Sequence, residues 1–112
     1  MSLFENREQA FENLFAHEED MRFRARARRN RKLAAWAAAR MQLPEDEAAA
    51  YESFIVGLGA YFADDGVRER ILHDLERAGV GVSDHRVRRM MEELLAEAAA
   101  EDRSRRPARV SH

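Results

Sequence analysis

No cysteine occurs anywhere in the 112 residues, which excludes a disulfide framework, a thiol nucleophile and any Cys-ligated zinc or iron–sulfur site. Proline and glycine are also scarce, at two and five. From Phe11 to Met41 there is neither, and composition alone makes that stretch a long helix. Aromatic and β-branched residues are too sparse for a sheet, and apolar residues recur at helical rather than alternating spacing. No apolar run is long enough to span a bilayer. The opening Met-Ser-Leu-Phe-Glu-Asn-Arg-Glu has no apolar core, so a secretory signal is not expected and a cytoplasmic protein is.

Charge of one sign is missing locally rather than globally. The net charge is −2, yet the signs are sorted along the chain. Residues 1–20 set Glu5, Glu8, Glu12, Glu18, Glu19 and Asp20 against Arg7, a balance of −5. Residues 21–32 carry Arg22, Arg24, Arg26, Arg28, Arg29, Arg31 and Lys32 with no acid, a balance of +7. Residues 41–66 return to −6 with no base. The segment charges are therefore more informative than the total.

An all-α fold is expected: a small four-helix bundle over residues 21–100, a flexible N-terminal arm over 1–20 and a basic disordered tail over 101–112. In the arm, Phe4, Phe11 and Phe15 fall within about 40° of one another on a helical wheel. An isolated helix of that length is marginal in water, so the arm is expected to be frayed or disordered until something accepts the phenylalanines, either a partner or the chain's own core. The first firm helix is expected from about Asp20 to Gln42, with Phe23, Ala27, Asn30, Ala34, Ala37 and Met41 as its apolar stripe. That stripe lies about 100° from the phenylalanines of the arm. Either the chain breaks near His17–Asp20, or the two halves dock on different things.

The second helix is expected to start at Pro44, with Glu45, Asp46 and Glu47 in its first turn. Tyr51, Phe54, Ile55, Leu58, Tyr61 and Phe62 form its core pattern, and Gly57 and Gly59 either permit close packing or end it early. Asp64 or Asp65 is expected to cap a third helix that carries Val67, Ile71, Leu75 and Ala78 and stops at Gly79. Ser83 caps a fourth, with Val82 and Val87 placed as a hydrophobic staple. Val87, Met90, Met91, Leu94, Leu95 and Ala98 make up its core face.

Nothing in the chain assembles into a catalytic site. No serine has triad context, and no phosphate-cradling glycine motif is complete. His17, His73, His85 and His112 do not pair at helical ligand spacing, so no metal is expected. The chain is therefore not expected to be an enzyme. The arginine run suggests nucleic acid at first sight. However, it holds one interleaved aromatic, Phe23, and its acidic neighbours can neutralise it, so nucleic acid is not the expected partner.

Five stretches carry a family resemblance: REQAFENLFAHEEDMRFRARARRN (7–30), LAAWAA (33–38), YESFIV (51–56), ILHDLERAGVGVS (71–83) and RRMMEELLAEA (88–98). Together they resemble the zeta-subunit family, the inhibitor of the F-type ATP synthase in alpha-proteobacteria. Gln42-Leu43-Pro44 departs from it, standing where the family has a glycine-rich link. The resemblance implies a regulatory subunit at the cytoplasmic face of the inner membrane. Its arm would enter a catalytic α/β interface of the F1 head and block ATP hydrolysis, with the bundle braced on the rotor side. Phe4, Arg7, Phe11 and Phe15 would then be interface contacts, and Arg22, Arg24, Arg26, Arg28 and Arg29 the basic continuation of the inhibitory helix. No cofactor is implied beyond the adenine-nucleotide binding associated with some members, for which this sequence holds no motif. The alternative is a divergent, non-inhibitory paralogue, a structural or nucleic-acid-associated module working through the arginine-rich helix.

Overall fold

The computed structural model describes the backbone of residues 3–105 and the side chains of residues 7–104. The order is α1 (Leu3–Arg40), α2 (Glu45–Tyr61), α3 (Asp64–Arg77) and α4 (Asp84–Arg105). No strand occurs among the described residues. The architecture is the expected four-helix bundle. It is elongated, 63 × 29 × 24 Å, because α1 alone holds 38 residues, about 57 Å of helix.

The core is a single cluster of Leu33, Ala34 and Ala37 from α1, Ile55 from α2, Val67, Ile71 and Leu75 from α3, and Val87 and Met91 from α4. Trp36, Tyr51, Leu58, Val80, Val82 and Leu94 pack around it. The alanines of α1 keep its surface shallow, which lets three helices gather on one. Gly59 adds to this, because a Cβ there would overlap the side-chain amide of buried Asn30 on α1. Gly57 has open space around it and does not end the helix.

The connections are set by local chemistry. The α3 terminus is a Schellman motif: Val80 N–H donates to the Leu75 carbonyl, Gly79 N–H to the Glu76 carbonyl, and Gly79 takes φ +75°. Gln42 plays the same part at the end of α1 with φ +57°, while Leu43 N–H reaches the Ala38 carbonyl. A left-handed glutamine there strains backbone that a glycine would adopt freely. Ser83 caps α4, its Oγ accepting from the Arg86 N–H at 3.0 Å, and Val82 and Val87 both reach the core cluster.

Several expectations give way. The first helix does not begin at Asp20 and does not break near His17–Asp20, since α1 is continuous from Leu3. Pro44 is the N-cap of α2 rather than its first residue. Ala63 occupies the N-cap of α3 with no side-chain cap, because the Asp64 carboxylate is drawn to Arg29 instead. Phe54, Tyr61 and Phe62 are exposed, as is Ala78, leaving Ile55 as the buried residue of α2. Helix α4 runs on to Arg105, so Glu101 and Asp102 belong to it rather than to a tail. The expected disorder of residues 106–112 lies outside the described residues.

Candidate functional site

The buried face of α1 overlaps the expected stripe but is turned from it. Asn30, Ala34 and Ala37 are buried as expected, Ala25, Arg29, Leu33 and Ala38 are buried besides, and Phe23 is exposed. The difference is Arg29, a charged residue 2% exposed. Its Nη2 donates to Asp64 Oδ1 and its Nε to Asn30 Oδ1 at 2.8 Å. Burying a guanidinium is tolerable only with such partners, and this one has a carboxylate and an amide. Once Arg29 is counted as inward-facing, the wheel rotates. Leu33 lies five helical turns from Phe15, pointing in the same direction.

The phenylalanines of the arm thus continue the core face beyond the bundle. Two ties show where the bundle ends. Lys32 Nζ donates to Glu97 and Glu101 of α4 at 2.8 and 2.9 Å, and Arg28 Nε to Asp102 at 2.8 Å. The carboxylates hold the Lys32 ammonium above its ordinary pKa, with the hydrogen bonds to Glu97 and then Glu101 as the largest causes. Met21, Arg22 and Ala25 lie beside Ala99, Asp102 and Arg103. The last turn of α4 therefore stands level with the start of the neck, and α1 runs on from residue 20 to residue 3, about 27 Å.

On that overhang Phe11, Leu14 and Phe15 are 72, 55 and 59% exposed. Arg7 is exposed too, as are Glu8, Glu12 and Glu18, none of which forms an ion pair among the described residues. The side chain of Phe4 lies outside the described side chains. Leu14 escaped the sequence reading, although its spacing of three from Phe11 is the signal that finds it.

The neck is divided by its pairings. Arg22 pairs with Glu19 at 2.8 Å and Arg24 with Asp20 at 3.0 Å, all exposed. Arg26 and Arg31 are exposed and form no ion pair among the described residues. Arg28 and Arg29 are taken up in ion pairs that hold α4 and α3 to α1, Arg29 buried and Arg28 partly exposed. Beside the neck, α1 and the end of α2 enclose a groove of about 570 Å³, lined by Phe23, Arg26, Ala27, Tyr61 and Phe62 among others. This groove, with its three exposed aromatics, was not legible from periodicity, which put Tyr61 and Phe62 in the core pattern of α2 and Phe23 on the apolar stripe of α1.

The remaining polar clusters are structural. Tyr51 Oη donates to Asp74 at 2.8 Å, and Arg70 grips the same carboxylate while stacking 4.7 Å over the Phe54 ring. Burial first, and then that hydrogen bond, push the Tyr51 phenol well above its ordinary pKa. Arg68 joins Asp65 to Asp84 across the α3–α4 turn, and Arg88 adds a bond to Asp84 at 2.6 Å. Among the described residues no group of three or more His, Asp or Glu converges to hold a metal, and no helix is long and apolar enough to cross a membrane.

The site is thus a projecting helix that presents an apolar strip flanked by unpaired acids, with a cationic and aromatic groove at its root. Such a surface suits a protein partner rather than a small substrate. No curated protein matches the sequence. Residues 1–101, covering arm, neck and bundle, match the model of the family described as ATPase inhibitor subunit zeta, and the chain belongs to that family.

Proposed function

We propose that the chain inhibits ATP hydrolysis by the F1 head of the ATP synthase and that its projecting arm is the inhibitory element. In this reading Phe4, Arg7, Phe11 and Phe15, with Leu14, meet the catalytic α/β interface. Arg22, Arg24 and Arg26 extend the contact along the neck, and the bundle stands against the rotor subunit. The protein is regulatory rather than catalytic, is held at the cytoplasmic face of the inner membrane by its partner, and needs no cofactor to act. One observation carries the reading: the face that closes the core continues past the bundle with nothing over it. An apolar helical strip at this spacing is the helix-in-groove mode of recognition.

The nucleic-acid reading is less well supported. Between residues 22 and 32 only Arg26 and Arg31 lack a carboxylate partner among the described residues, too few for a strong phosphate-binding face.

Adding the full chain to inhibitor-free F1 is expected to suppress hydrolysis. Deleting residues 1–19 is expected to abolish that effect while the bundle stays folded by far-UV circular dichroism. Undiminished hydrolysis with the full chain, or full inhibition by the truncated one, overturns the reading.

A further inference from the structure

The last buried apolar residue of α4 is Ala98, yet the helix runs on to Arg105, about two turns further. Those turns lie along the neck of α1. Asp102 accepts from Arg28 Nε at 2.8 Å, Glu101 accepts from Lys32 Nζ at 2.9 Å, and Arg28 Nη1 lies 3.9 Å from Glu101. Ala99, Asp102 and Arg103 stand beside Met21, Arg22 and Ala25. Asp102 is the anchor. Its side chain is 9% exposed, and its buried Oδ2 has no hydrogen-bond partner among the described residues. A carboxylate buried with one oxygen unmet adds little stability, since the desolvation of that oxygen goes uncompensated. What a charged hydrogen bond does supply is a fixed direction.

The opposite side of the neck is open. Phe23, Arg26, Ala27 and Asn30, which line the groove, lie about 180° round α1 from Met21, Ala25, Arg28 and Lys32, which meet α4. Helix α3 grips α1 at Arg29, and α2 meets it at Asn30, beside Gly59. Nearer the arm, α2 stands back across the groove, with Phe23, Tyr61 and Phe62 exposed on its walls. Closing the groove would bury those rings, so the apolar term draws α1 towards α2. The ties to α4 resist it. A lean of about 10° at Arg28 would carry Leu3, about 37 Å along the helix, sideways by about 6 Å.

We infer that the last two turns of α4 are a splint that sets the direction of the arm, with Asp102 as its positioning residue. Asp102 acts through Arg28 rather than by meeting a partner. The splint holds α1 off the groove, so the phenylalanines of the arm reach their target already aimed. The use of that aim rests on the inhibitory reading; the splint itself does not.

Residual dipolar couplings of the full chain report the direction of each backbone N–H bond relative to the bundle. In the wild type, couplings of residues 15–27 are expected to fit one alignment tensor together with those of α2 and α3. In Asp102→Ala they should need a separate tensor, tilted towards the groove, or shrink through motion, while the urea midpoint stays close to that of the wild type. Glu97→Gln is the control, because Lys32 keeps Glu101 and Arg28 keeps Asp102; it should leave the couplings unchanged. In a hydrolysis titration with inhibitor-free F1, Asp102→Ala should raise the half-inhibiting concentration about tenfold, since binding must then order a direction that was preset. A shared tensor that survives Asp102→Ala overturns the splint, as does its equal loss in Glu97→Gln. A midpoint that falls as far as that of Leu33→Ala overturns it too, since Asp102 would then serve stability. A tilted arm that inhibits as well as the wild type overturns the aiming role. A wild-type chain that leaves F1 uninhibited sinks the proposed function instead, and the couplings still decide the splint.

Discussion

Replacing Phe11 and Phe15 together by alanine separates the arm's role in binding from any role in folding. A phenylalanine buries roughly 150–250 Å² when fully enclosed. At 72% and 59% exposure the two rings therefore offer on the order of 250 Å² to a partner, or about 6 kcal/mol at 25 cal/mol/Å². Alanine keeps part of that area and a real interface covers the rings incompletely, which leaves about 3 kcal/mol, roughly a hundredfold in affinity. The same exposure means the folded monomer loses little, within about 0.5 kcal/mol. A titration of hydrolysis by inhibitor-free F1 should then show the half-inhibiting concentration rising about a hundredfold, with the urea midpoint unmoved. Leu33→Ala serves as the converse control. It lies on the same face but inside the core, and should cost about 2–4 kcal/mol of stability. A double variant that inhibits as well as the wild type, or that unfolds as easily as Leu33→Ala, would refute the reasoning.

Three further outcomes follow from the bundle. Asp64→Ala leaves the Arg29 guanidinium buried beside Asn30 alone; since Asp64 is itself half exposed, the expected loss is about 1–2 kcal/mol rather than the full cost of a dry pair, whereas Arg29→Met should stay within about 1 kcal/mol of wild type by chemical denaturation. Gln42→Gly relieves a left-handed residue in the α1–α2 turn and should raise stability by about 0.5–1 kcal/mol, read as a higher melting temperature. The Tyr51 phenol and the Lys32 ammonium both have pKa values raised in the fold above 10.0 and 10.5, so their contributions are whole below about pH 10 and are lost as pH climbs beyond it. Tyr51→Phe should accordingly flatten the alkaline limb of a stability–pH profile, and an unchanged limb would count against the Tyr51–Asp74 contact.

Where a signal was local, the sequence was readable. The Gly79 terminus, the Ser83 cap and the Val82–Val87 staple are decided within a few residues and form as expected. The core faces of α3 and α4 follow from spacing alone, because Val67, Ile71, Leu75, Val87 and Met91 are unambiguous apolar residues. On α1 the reading went astray because one buried position is an arginine. Its partner Asp64 lies 35 residues away, and no periodicity reports such a pair. Treating Arg29 as wet shifted the apparent apolar face, made the arm look misaligned and suggested a break that does not exist. Tyr61 and Phe62 misled for the opposite reason. They are aromatic and correctly spaced, but they lie at the end of α2, where the bundle has little left to cover them.

The unbroken α1 also has a mechanical meaning. A rod clamped at one end by Lys32 and Arg28 to α4, and by Arg29 to α3, turns only if the bundle turns with it. Whatever grips the free end also aims the bundle, and a torque on the bundle returns to the grip with a lever of about 27 Å. The weakest point under bending lies just before Met21, where the helix leaves the last turn of α4 and only exposed pairs such as Asp20–Arg24 brace it.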